Sequence, residues 1–206
     1  LTSSNIYLMG GDYLIDSALR IDSGKNFTFN VDPSSQTSVL FKRVSTYFSS
    51  LFDVKEGASL IFKSSPGKMI IDGGSTSNPS TGIMNETGLL LNNRGTTVID
   101  GAEFTNQHIG YGAYVAPIYS NGPNSTLHLI SGSIHDNKIT ANSQSVIYSS
   151  NAVLVENGGT MIMDGGDIYN NTIASNLLNS DSVGVVNISD GSKFTMNGGK
   201  NKNVFR

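Results

Sequence analysis

Residues 159–173 read GTMIMDGGDIYNNTI. Apolar and polar positions alternate up to a glycine pair, one apolar residue follows, and two asparagines close the unit. Related units stand at 95–109 (GTTVIDGAEFTNQHI), 125–139 (STLHLISGSIHDNKI), 192–203 (SKFTMNGGKNKN) and 68–78 (KMIIDGGSTSN), and YLMGGDY at 7–13 holds the first glycine pair. A second apolar stretch precedes each copy, as in LFDVKEG, LLLNNRG, VLVENGG and VNISDGS, and IDSGKNFTF at 21–29 is of the same kind. Alternation with a period of two predicts short strands with one buried face.

Taking Lys25, Ala58, Gly95, Ser125, Gly159 and Ser192 as equivalent gives separations of 33, 37, 30, 34 and 33 residues, the long interval carrying an extra turn, KSSPGK. In this register Phe27, Leu60, Leu127, Met161 and Phe194 form one column, which Thr97 interrupts. Phe29, Phe62, Ile99, Leu129, Met163 and Met196 form a second, and Ile21, Val54, Leu91, Val155 and Ile188 a third. A period near this length also occurs in helical repeats, but these units are rich in β-branched residues, Gly and Asn, which are poor helix formers. The expected fold is therefore all-β: a parallel β-helix, or β-solenoid, of about seven coils. At about 4.8 Å per coil it makes a rod roughly 30 Å long.

The glycine pairs at 10–11, 73–74, 165–166 and 198–199 supply the positive φ or bulge geometry of a corner. Tyr13, Phe104, Ile134 and Ile168 then re-enter the core. The asparagines that follow can satisfy backbone groups at the next bend and stack as an amide ladder. Two segments, 75–88 and 110–119, break the pattern and are expected to loop out of the coils. One domain spanning 1–206 is predicted, cut from something longer, because the pattern is already running at both ends.

Composition narrows the possibilities. Only 14% of residues are charged, the formal net charge is −3, and no basic cluster suggests a nucleic-acid surface. Cysteine is absent, which removes disulfides and thiolate metal sites, and no apolar run approaches the roughly 18 residues of a membrane span. Five N-x-[ST] sequons, at Asn26, Asn85, Asn124, Asn170 and Asn187, are what a chain this rich in Asn, Ser and Thr produces by chance.

The repeat resembles the pectin-lyase-like right-handed parallel β-helix regions of Gram-positive bacterial surface adhesins. More loosely it is similar to chlamydial polymorphic outer-membrane proteins, whose units carry GGA[I/L/V] and FxxN. The residues that carry the likeness are GGDI with IYNN at 165–171 and SGSI with IHDN at 131–137. The opening segment YLIDSALRIDSGKNFTF with LFKRVSTYFSSLFDVKEGASLIF looks more specifically like low-GC Gram-positive adhesin-like proteins. The resemblance implies a right-handed solenoid on a bacterial cell surface, wall-anchored through segments outside this chain. Its motifs are structural and leave the ligand open.

Enzymes of this fold class offer a contrast. Pectate-lyase-like sites need acidic calcium ligands with Arg or Lys, and polygalacturonase-like sites need NxD, DD, GHG and RxK; neither set is present. His108, His128 and His135 fall in different columns. Asp72, Asp100 and Asp164 each precede a glycine corner, with Glu103 and Asp167 three residues after the latter two. In this alignment Asp72 and Asp100 are neighbours, which suits calcium or a carboxylate pair; Asp before Gly is also the ordinary way to write a turn.

Tyrosine is the stronger lead. The chain has eight Tyr and no Trp, and GYGAYVAPIY at 110–119 concentrates Tyr111, Tyr114 and Tyr119. Tyr47 and Tyr148 both stand five residues before an expected core residue, Phe52 and Val153. A ring with a polar tip suits stacking on sugars or anchoring an interface, and it equally suits packing at the base of a loop. The function expected is an extracellular adhesin module that binds a host glycan or extracellular-matrix protein through these tyrosines and one face of the rod. No cofactor or metal, no nucleic-acid partner and no membrane insertion are expected. The alternatives are a polysaccharide lyase or glycoside hydrolase, and a passive stalk.

Overall fold

A strand too short to be stable alone gains its partners here from the preceding and following turns of the chain. A computed structural model describes residues 2–47, 49–65, 67–74, 88–110, 114–141, 148–175, 183–189 and 191–202. All regular structure among them is strand, every ladder is parallel, and the architecture is a parallel β-solenoid.

On the first face, Ser3–Leu8, Asn26–Val31, Ser59–Lys63, Thr96–Thr105, Thr126–His135, Thr160–Met163 and Lys193–Met196 pair in that order. The equivalences inferred from the repeat are the hydrogen-bonding register. The carbonyls of Lys25, Ala58, Gly95, Ser125 and Gly159 accept from the amides of Ser59, Thr96, Thr126, Thr160 and Lys193 at 2.8–2.9 Å. Phe27 faces Leu60, and Leu127 faces Met161, which faces Phe194. The column from Phe29 through Phe62, Ile99, Leu129 and Met163 to Met196 is continuous.

The second face stacks Gly11–Ile15, Val39–Arg43, Met69–Asp72, the far ends of the two ten-residue strands, Asp167–Tyr169 and Lys200–Lys202. Its inward column runs Tyr13, Phe41, Ile71, Phe104, Ile134, Ile168. The third face includes Leu19–Ile21, Phe52–Val54, Leu91–Asn93, Ile118–Asn121 and Tyr148–Glu156. A small sheet of His108–Gly110, Lys138–Ala141 and Thr172–Ser175 fills the bend between the second and third faces.

The core enclosed by these faces changes character along the rod. Its N-terminal half is aromatic: Phe52 sits edge-on to Phe41 at 5.3 Å and to Phe62 at 4.9 Å, and Phe62 to Phe104 at 5.3 Å. Further on it is Leu129, Ile134, Met161, Met163 and Ile168, all fully buried.

Three sequence expectations need correction. In the third column the partner of Val54 is Asn93, not Leu91, and the column continues through Ser120 to Val155 and Ile188. Leu91 lies two residues earlier, between Phe52 and Ile118. Asn93 is tolerated inside because it is fully bonded: its Nδ2 donates to Ser120 Oγ and to the Thr126 carbonyl, both at 3.0 Å, and its Oδ1 accepts from Thr97 Oγ1 at 2.9 Å. Ser120 in turn donates to Ser125 Oγ at 3.2 Å. Thr97, the interruption of the first column, therefore belongs to a polar layer through the core.

The second correction concerns KMIIDGG. The KSSPGK turn already occupies the first corner of that coil, so Met69–Asp72 is a second-face strand. Asp72 pairs with Thr105, whereas Asp100 pairs with Lys63 and Ser131. The third concerns residues 110–119: Tyr114–Val115 is a strand paired to Tyr148 and Ser149, and Ala116 and Ile118 are buried, so this part stays within the coil. Of the expected excursion at 75–88, residues 75–87 lie outside the described residues.

The asparagine ladder is present at the corner after the second face. Gln107, Asn137 and Asn171 are buried on successive coils. Asn137 Oδ1 accepts from the Gln107 amide at 3.0 Å, and its Nδ2 donates to Asn171 Oδ1 at 2.9 Å and to the Phe104 carbonyl at 3.2 Å. Asn171 Nδ2 donates to the Ile134 carbonyl at 2.8 Å. The residue before each rung, Asn106, Asp136 or Asn170, has φ between 52° and 58°, a left-handed bend that Asn and Asp accept more readily than other side chains. Arg43 closes the ladder on its N-terminal side. Nη2 donates to Gln107 Oε1 at 3.0 Å and to the Leu89 carbonyl at 2.8 Å, Nε donates to Gly73 O at 3.2 Å, and Nη1 donates to Ser49 O. Burial lowers its pKa to about 10.

Candidate functional site

Where the first face turns into the second, the corner is made of glycines on three successive coils, Gly132, Gly165 with Gly166, and Gly199. Gly132 has φ 95°, and a Cβ there would lie 2.1 Å from the Ala102 carbonyl; one at Gly199 would lie 2.5 Å from Gly166 O. Successive backbones therefore approach more closely than any other residue permits. The result is a cleft of about 460 Å³ floored by Gly132, Gly165, Gly166 and Gly199.

Two outward columns of the second face form its wall and rim. The nearer one is Glu103, Ser133, Asp167, Lys200, and the next is Thr105, His135, Tyr169, Lys202. The His135 and Tyr169 rings stack face to face, with centroids 4.8 Å apart and planes 1° from parallel. His135 Nδ1 lies 2.8 Å from Asp136 Oδ2, and Nε2 lies 3.5 Å from Glu103 Oε2. Burial raises the Tyr169 phenol above its ordinary pKa, so it stays protonated at neutral pH. The Asp167 carboxylate is exposed. The arrangement offers a flat ring platform, hydroxyl donors and acceptors, and carboxylates around an open trough. Such a surface can hold a sugar by stacking and charge-assisted hydrogen bonds.

The tyrosines singled out from sequence lie elsewhere. Tyr114 and Tyr148 are register partners on adjacent coils. Tyr119 is half-buried on the third face and donates to Glu156 Oε2 at 2.8 Å. Tyr47 packs against the core, donates to the Ser50 carbonyl at 2.8 Å, and lies beneath the Arg43 guanidinium at 5.7 Å. Tyr111 lies outside the described residues.

The acidic positions are separate. Asp72 Oδ1 accepts from the Gly74 amide and Asn106 Nδ2 as a turn residue does, Asp100 accepts from Ser131 Oγ, and Asp164 accepts from Asn197 Nδ2 and pairs with His128. Among the described residues no group of three His, Asp or Glu is placed to hold a metal ion. The histidines occupy three different register positions on two strands: His108 pairs with Lys138, while His128 and His135, seven residues apart on one strand, pair with Val98 and Ile162 and with Thr105 and Tyr169 respectively.

Sequence reasoning missed the His135–Tyr169 pair, although SGSIHDN and GGDIYNN aligned on their isoleucines place the two side by side. No protein-family model, curated protein or solved structure matches the chain.

Proposed function

We propose that the chain is a right-handed parallel β-helix of about seven coils that serves as an adhesin module. It works outside the cell on a Gram-positive bacterial surface and binds a host glycan or an extended extracellular-matrix ligand. The observation that carries this reading is the stacked His135–Tyr169 platform beside a bare glycine-floored cleft. The rest of a Ser/Thr/Asn surface offers only hydrogen bonds that compete with water. Tyr47, Tyr111, Tyr114, Tyr119 and Tyr148 are the second set of contact residues in this proposal, with Tyr114 and Tyr148 in register on adjacent coils. Single sites of this kind bind in the millimolar to micromolar range and gain strength from many copies on one surface.

A glycan and matrix-protein array, followed by titration of the best ligand, tests this. Tyr169→Ala is expected to weaken binding about tenfold, as for loss of a stacked ring, with the melting temperature nearly unchanged because the ring is only half-buried. Unaltered affinity in Tyr169→Ala would move the site to the Tyr114–Tyr148 surface. Turnover of a uronic-acid polymer that disappears in Asp100→Asn would replace the adhesin reading with the enzyme one.

A further inference from the structure

We infer that the corner cleft takes an extended β-linked glycan carrying free amino groups, laid along the solenoid axis with about one sugar ring per coil. This rests on the glycan-binding reading above and adds the ligand's direction and charge.

The direction follows from the geometry of the floor and wall. The glycine floor spans successive coils, so the trough runs along the axis and not around a coil. Neighbouring strands are about 4.8 Å apart, close to the advance of one ring in an extended β-linked chain. Such a chain meets equivalent positions of each coil in turn. Glu103, Ser133, Asp167 and Lys200 are one in-register column, so Glu103 and Asp167 stand about 9.5 Å apart, every second ring. The bare floor lets a ring approach the backbone, and Tyr169 stacked on His135 supplies a face for its apolar side.

The charge follows from the wall. Glu103 and Asp167 line the cleft with Asp136 at its edge, against Lys200 at one end. The Asp167 carboxylate is exposed, so it is open to a ligand. A uronic-acid or sulfated polymer meets like charge here, whereas an ammonium group gains charge-assisted hydrogen bonds.

The test is calorimetric titration of the 206-residue chain with a β-1,4-linked glucosamine hexamer, its fully N-acetylated counterpart and an α-linked glucose hexamer. The amine form is expected to bind about tenfold tighter than the acetylated form. That preference should shrink as salt is raised and vanish in Asp167→Asn. Equal binding of the two β-linked hexamers, or a preference that survives Asp167→Asn, overturns the charge inference while the glycan reading stands. Equal binding of the α-linked hexamer overturns the axial match. No binding of any hexamer, alongside an array that yields no glycan, sinks both this inference and the reading beneath it.

Discussion

Leu129→Asp is expected to leave the chain without a cooperative unfolding transition at room temperature. Leu129 is fully buried, and its register neighbours Ile99 and Met163 are fully buried above and below it. A carboxylate there has an apolar residue on each side and no route to water. It must either stay charged in a dry interior or take up a proton at a strongly raised pKa. Both cost several kcal/mol, a large fraction of the net stability of an ordinary domain. Thr126→Asp, three positions away on the outward side of the same strand, should change stability by no more than about 0.5 kcal/mol. Circular dichroism melts of the two variants make the comparison. If both melt like the parent, the inward and outward sets of this strand are wrongly assigned.

The second large effect is expected at Arg43. Its guanidinium serves the Gly73, Leu89 and Ser49 carbonyls and Gln107 Oε1 at once. Arg43→Met keeps the length of the stem and removes every donor, leaving several buried acceptors unpaired. At about 1–3 kcal/mol for each unsatisfied group, partly relieved by relaxation, a loss of at least ~3 kcal/mol follows. Lysine should rescue only a minor part, because one ammonium cannot reproduce a planar fork spread over four acceptors. In urea titrations both variants should lower the midpoint with little change of slope. Full rescue by lysine would mean that charge alone, and not the fork, matters at this corner.

Much of this was legible in the sequence, for an identifiable reason. Apolar residues with a period of two, repeated near every 33 residues, admit one stacking register, because a one-residue slip turns every inward side chain outward. The columns through Phe29 and Phe27 and the asparagine ladder could therefore be written down in advance. What failed was whatever hydrophobicity does not encode. LLLNN offers apolar residues in either of two registers, and the one used puts Asn93 inside because Thr97, Ser120 and Thr126 satisfy its amide. Alignment on apolar residues alone reads such a layer as an error. The acidic column failed because both corners of a coil are written Asp-Gly, so Asp72 and Asp100 looked equivalent while sitting at different bends. The cleft was legible only in part. Glycines mark a corner, but that the corner is open, with the His135 and Tyr169 rings stacked at its rim, depends on outward residues that the repeat leaves free to vary.

The polar layer of Asn93, Thr97, Ser120 and Ser125 has a mechanical consequence. In a solenoid each coil is held only by its neighbours, so stability is close to a sum of intrinsic and nearest-neighbour terms. Here an aromatic block precedes the layer and an aliphatic and thioether block follows it. Across the layer itself, hydrogen bonds stand in for part of the apolar contact that couples other coils. Their net contribution, about 1 kcal/mol each, is less than that of a buried Leu or Phe, so coupling between the blocks is weakest there. Stretched from its ends, the rod is expected to yield in two force steps with a rest between them. A single step spanning the whole length would show that the layer joins the blocks as firmly as the apolar coils do.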